Sequence, residues 1–157
     1  MSEQLLKQLL KQGESEQLEF IEGFQKDRVA RNLCALLNAK GGRVIVGVSD
    51  NGIPSGLKDA SLHKDDMQSY LLQEIVPEAP ITIYIESIGD KEVLVFKVSG
   101  GANQPYIFDG NIYFRRGTST RKATSTEISA LIHDRQQAEL HWERQVVLGF
   151  DFEDLDV

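Results

Sequence analysis

Eight residues, Arg115-Arg116-Gly117-Thr118-Ser119-Thr120-Arg121-Lys122, hold four cations, three hydroxyls and a glycine. Guanidinium groups, hydroxyls and exposed backbone N–H groups are the donors that phosphate oxygens accept from. Tyr106, Tyr113 and Phe114 lie close by for stacking on bases, and Lys40 and Arg43, either side of Gly41-Gly42, extend the cationic set. A second set is acidic: Glu14, Glu19 and Asp50. Glu14 and Glu19 are five positions apart, so along one straight strand they would face opposite ways, roughly 16 Å from each other. They meet only if Glu14 sits in the turn that Gly13 begins. Other chemistries lack their parts. His63, His133 and His141 show no metal-ligand spacing and no companion cysteines. Ser119 has no visible His and Asp partners for nucleophilic catalysis.

The elements that must position these groups centre on the stretch from Val29 to Leu57. Val29, Leu33, Leu36 and Leu37 recur at helical spacing, with Ala30 and Cys34 beside them, so one helix face is apolar and buried. Asn38-Ala39-Lys40-Gly41-Gly42 supplies a helix stop, and Arg43 to Val48 follows as a β-branched run suited to a central strand. Asp50-Asn51-Gly52 turns the chain at the strand's exit. Upstream, Ser2 caps a helix carrying Leu5, Leu6, Leu9 and Leu10, and Glu14 to Phe20 alternates as a half-buried strand. Asp27 caps the central helix, with Lys26, Arg28 and Arg31 around its start. Downstream, Leu62 to Ile75 reads as a helix ending before Pro77. Ile81–Ile88 and Glu92–Val98 form a hairpin around Gly89-Asp90-Lys91. Ile112 to Arg115 is a strand, and Arg115 to Lys122 reads either as a phosphate-contacting segment or as a solvated strand-to-helix loop. Thr124 or Ser125 caps a helix with Ile128, Leu131 and Ile132 inward, running to about Arg144, and Trp142 packs on or caps it. The class is α+β, a mixed β-sheet with helices packed against it.

The order of these landmarks resembles the signature of the Schlafen AlbA-like family, also called the divergent AAA domain. The family's Glu and Glu-Phe-Lys positions correspond to Glu14 and to Glu19-Phe20, with Ile21 standing where the family usually has lysine. Its Pro-x-Tyr and Gly-x-x-Tyr-x-Arg-x-Gly-Ser/Thr-Ser/Thr elements correspond to Pro105-Tyr106 and to Gly110 through Ser119. The resemblance runs from about Glu14 to Leu131. It implies a bacterial nucleic-acid-binding module of the transcription-regulator type, contacting DNA or RNA backbone through Arg115, Arg116, Thr118, Ser119, Arg121, Lys122, Lys40 and Arg43. As an alternative it implies a metal-dependent endoribonuclease, in which Glu14, Glu19 and Asp50 are catalytic and hold Mg²⁺ or Mn²⁺ that activates water. The name divergent AAA carries an implied ATP site, although the chain has no G-x-x-x-x-G-K-[ST]. A protein-interaction or dimerisation module is the third reading, and no residue pattern specifies a homodimer.

Composition bounds these readings. At 157 residues the chain is long enough for a sizeable core without disulfides. One cysteine, on an apolar helix face, reads as a buried thiol, and with no secretory leader the expected compartment is the cytoplasm. No apolar run approaches a membrane span. The net charge of −7 argues against an all-over cationic nucleic-acid binder, although a local concentration of Lys and Arg overrides the total. Residues 1–145 read as the domain and 146–157 as an acidic tail opening into a further region. The last eight residues carry four acids and no base.

Overall fold

The computed structural model describes residues 3–100 and 103–149, with side chains described as far as Gln137. Helix α1 (Glu3–Gln12) turns Leu6 and Leu10 inward, and strand β1 (Leu18–Ile21) follows after a tight turn in which Ser15 and Leu18 exchange backbone hydrogen bonds. Helix α2 (Lys26–Leu37) crosses over to strand β2 (Gly41–Val46), which pairs parallel to β1. Helix α3 (Ala60–Glu74) and the short strand β3 (Ile75–Val76) lead to β4 (Ile81–Ile88) and β5 (Lys91–Ser99). Then come β6 (Ile107–Phe108), β7 (Tyr113–Arg116), β8 (Ser119–Lys122) and α4 (Ser125–Gly149). The main sheet has the order β1-β2-β5-β4 and is antiparallel beyond the first pair, whereas β3 pairs with β6 and β7 with β8 in two small ribbons.

Both faces of the sheet are covered, because period-two alternation sends its apolar residues to opposite sides. Val44, Val46, Leu94, Phe96 and Ile21 meet α2 and α3, while Leu18, Phe20, Ile45, Val93 and Val95 meet α1. The nearly continuous apolar run of β2 follows from this two-sided burial. Cys34 is a buried thiol on the apolar face of α2, as its spacing requires; burial pushes it up to about 11.

Several local features differ from the sequence reading: Asp27 lies inside the first turn of α2, whose N-cap is Gln25, and Ile132 is exposed on α4 rather than inward. The glycine pair is not the cap of α2: Asn38 closes that helix in right-handed conformation, and Gly41 and Gly42 open β2 instead. A Cβ on Gly42 would collide with the Gln17 carbonyl, so the pair is there to let β1 and β2 start side by side. Leu62 is exposed rather than core-facing on α3. Arg115 to Lys122 is not a loop but the end of β7, a Gly117-Thr118 turn and strand β8, which form a hairpin. Finally α4 continues past Arg144 to Gly149, taking in Val146-Val147-Leu148. The expected Ser2 cap, the packing of Trp142 and the acidic residues from Phe150 onward lie outside the described residues. No helix among the described residues is long and apolar enough to cross a membrane.

Candidate functional site

The register of the β7–β8 hairpin sorts the basic segment onto two faces. Tyr113 pairs with Lys122 and Arg115 with Thr120, so these four share the face toward α2; Phe114, Arg116, Ser119 and Arg121 share the other. On that second face Arg116 and Arg121 both reach Glu127, at 3.0 and 3.2 Å. Glu127 also forms a reciprocal cap with Thr124: its carboxylate accepts from the Thr124 N–H at 2.9 Å, and its own N–H donates to the Thr124 hydroxyl at 3.2 Å. Burial pushes the Glu127 carboxyl up, but the Thr124 bonds and the Arg121 charge outweigh it and hold the group below the usual range.

On the α2 face, Arg115 is the largest fully buried side chain of the described residues. It bonds Glu19, donates to the Thr120 hydroxyl at 3.1 Å, and reaches the Ser15 and Leu18 carbonyls at 2.7 and 3.0 Å. Those carbonyls belong to the turn and the open edge of β1. The guanidinium therefore closes a strand edge and cannot contact a phosphate, which removes it from the cationic surface read in the sequence. Thr120 passes the network on to Asn32 at 2.6 Å, and Asn32 donates to the Arg28 carbonyl at 2.9 Å. Asn38 anchors the same region from the end of α2. Its amide donates to the Tyr106 and Tyr113 carbonyls at 2.9 and 2.8 Å and accepts from the Tyr106 N–H at 2.6 Å.

The tight turn at Ser15 folds Glu14 back onto β1, where its carboxylate accepts from the Phe20 N–H at 3.2 Å and meets Glu19. Glu19 is raised to about 7: burial is the main cause and the Glu14 contact adds to it, while Arg115 pulls the other way. Asp50 stands apart, exposed in the Ser49–Gly52 turn, and the Gly52 end of that turn lies against the Leu10 carbonyl. Among the described residues no group of three or more His, Cys, Asp or Glu could hold a metal ion. The carboxylates present do not fit Mg²⁺ or Mn²⁺, because Glu19 is committed to Arg115 and Glu14, and no third acid joins them.

Between α2 and the hairpin lies an open cleft of about 450 Å³. Arg28 and Arg31 line it from α2, with Asn32 below them; Thr118, Thr120 and Lys122 line it from the hairpin. Glu19 and Tyr113 complete its lining. Arg28, Arg31 and Asn32 stand at i, i+3 and i+4, one polar stripe of the helix whose apolar stripe fills the core. The sequence shows that stripe, but nothing in it shows that the hairpin comes to rest opposite. Ser119 faces the α4 side and Lys40 is exposed in a pair with Glu16 at 3.7 Å. Arg43 pairs in register with Leu18 on the α1 side of the sheet, so neither Lys40 nor Arg43 lines this cleft.

The fold and cleft define an α+β domain in which a crossover helix faces an accessory hairpin across a polar, cation-rimmed groove. The Schlafen, AlbA_2 family pattern matches residues 14–124, which contain every element of that groove. The chain belongs to the Schlafen, AlbA_2 family. It is also similar in fold to two solved structures. One is the crystal structure of the DIP2311 protein from Corynebacterium diphtheriae (TM-score 0.56, 20% identity, 69% of this chain), of which it spans 22%. The other is the solution structure of the N-terminal domain of a protein from Nitrosomonas europaea described as related to the ATP-dependent DNA helicase RecG. There the TM-score is 0.56 and the identity 20%, over 79% of this chain and 94% of that one.

Proposed function

We propose that this protein is a nucleic-acid-binding module that holds phosphate backbone in the cleft between α2 and the β7–β8 hairpin. The observation that carries the reading is the convergence of Arg28, Arg31 and Lys122, from two separate elements, on one groove lined with the Thr118 and Thr120 side chains, in a chain of net charge −7. Local cation density of this kind gives phosphate affinity without an overall basic protein. Family membership and the helicase-related description of one structural neighbour support the same reading. In a transcription-regulator setting such a module supplies backbone affinity. Metal-dependent cleavage is not part of the proposal, because among the described residues Glu14, Glu19 and Asp50 do not all come together.

The test is fluorescence anisotropy with labelled duplex DNA, single-stranded DNA and single-stranded RNA across a salt series, with a parallel gel in Mn²⁺ scored for cleavage. The expected result is salt-sensitive binding that weakens about tenfold or more in the double variant Arg31→Ala, Lys122→Ala, with the fold intact by circular dichroism. Binding that is indifferent to this variant, or none at 50 mM salt, would sink the reading. Cleavage lost in Glu19→Gln would replace it with the nuclease alternative.

A further inference from the structure

A second, smaller hollow of about 220 Å³ opens beside the phosphate cleft, and Arg31 and Tyr113 line both. Its volume falls below the usual range for whole small-molecule ligands, which suits one heterocycle rather than a complete nucleotide. Aromatic rings form its walls: Phe108 stands 6.3 Å from Tyr70 and 6.4 Å from Tyr113, centroid to centroid. Acceptors complete its lining. Asp27 comes from the first turn of α2, Glu74 from the end of α3, and Asp109 from the turn between Phe108 and Asn111. Asp109 has a φ of +51°, so the chain adopts a disfavoured conformation where it presents this residue. Burial, and then the Glu74, Asp27 and Asp109 charges, raise the Tyr70 hydroxyl above its ordinary range.

Resting on the phosphate-binding reading above, we propose that this hollow is a subsite for one unpaired guanine of a strand whose backbone lies in the adjoining cleft. Arg31 lines both hollows and pairs with Asp27 at 3.8 Å, so the Glu74 and Asp109 carboxylates are what make the second hollow acidic beside the cation-rimmed cleft, and a ligand with the same alternation matches that surface. A nucleotide has it: an anionic phosphate on one side and a base edge carrying N–H donors on the other. Among the four bases, guanine presents two parallel donors on its Watson–Crick edge, N1–H and the N2 amine, and a carboxylate accepts both as a fork. In a duplex that edge is occupied by cytosine. The subsite therefore selects single strands, and Tyr113, common to both hollows, is the ring on which the held base stacks.

The experiment compares single-stranded 12-mers of uridine carrying at one central position U, G, A, C or inosine, by anisotropy against the whole chain. Inosine keeps N1–H and lacks the N2 amine. The expected outcome is about five- to tenfold tighter binding of the G oligomer, most of that gain lost with inosine. Glu74→Gln or Asp109→Asn should erase the G preference while leaving all-U affinity unchanged. Asparagine tolerates the left-handed backbone at position 109, so that variant keeps the turn. Equal affinity for all five oligomers, or a G preference untouched by both variants, overturns the subsite and leaves backbone binding standing. Failure of every oligomer to bind while duplex DNA is still held overturns the subsite alone; failure of duplex DNA and of every oligomer overturns both.

Discussion

Arg115 and Glu19 show how one residue type changes meaning with burial. Phosphate needs an exposed guanidinium, and Arg115 has none to offer: its donors are spent on a carboxylate, a hydroxyl and two carbonyls at the edge of β1. Breaking a buried ion pair from one side leaves its partner uncompensated, so Arg115→Met should destabilise the fold by about 3 kcal/mol in urea melts at pH 8. Protonation of Glu19 relieves that penalty, and the loss should shrink at pH 5. Glu19 itself carries a linkage of defined sign. Its folded value, about 7, lies above the ordinary 4.5, so the folded state holds this proton more tightly than the unfolded chain. The resulting stabilisation is complete below about pH 4.5 and is lost as pH rises through 7. Thermal melts from pH 4.5 to 8 should show this decline in the native chain and a flatter profile in Glu19→Gln; identical slopes would refute the assignment.

At the scale of elements, the hairpin is docked on α2 largely by polar groups. Asn38 bonds two carbonyls and one N–H of the segment that carries Tyr106 and Tyr113, and the Cys34 thiol also donates to the Tyr106 carbonyl. Removing a buried partner costs the desolvation of each group it leaves behind, so Asn38→Ala should lower stability by about 2–3 kcal/mol, read as a shifted urea midpoint. Because the same asparagine holds one wall of both hollows, its loss should also weaken oligonucleotide binding. The hairpin was legible only in half. The Tyr113–Arg115 strand shows in its aromatic and alternating residues, whereas Ser119–Lys122 has no apolar residue to reveal its period. Its partner strand, rather than its own composition, makes it a strand. The hairpin of β4 and β5 was legible to within a residue at each end, because isoleucine and valine alternate on both sides of the turn; Lys91, read as part of the turn, opens β5 opposite Ile88.

For the whole molecule, charge is arranged rather than abundant. A net −7 opposes nucleic acid at long range, and the cleft opposes that with three cations in one place. With about three phosphates neutralised, the slope of log affinity against log salt should be near −2 to −3, well short of the steep dependence of broad cationic binders. A slope near −8 would point to a different, larger surface.

What the sequence determined by itself is the part written in periodicity and turn chemistry. It specified the amphipathic α2, the apolar β2, the β4–β5 hairpin, a helix start at Thr124 or Ser125, the buried Cys34 and the α+β class, because each depends on neighbours within a few residues. The tertiary structure alone decided which charges face one another. Arg28 and Arg31 join Lys122 only because α2 crosses over β1 and the hairpin returns across some ninety positions to lie against it. Arg115 leaves the surface, and Asp50 stays away from Glu14 and Glu19, for the same reason: long-range packing sets the direction of a side chain, and local sequence does not encode it.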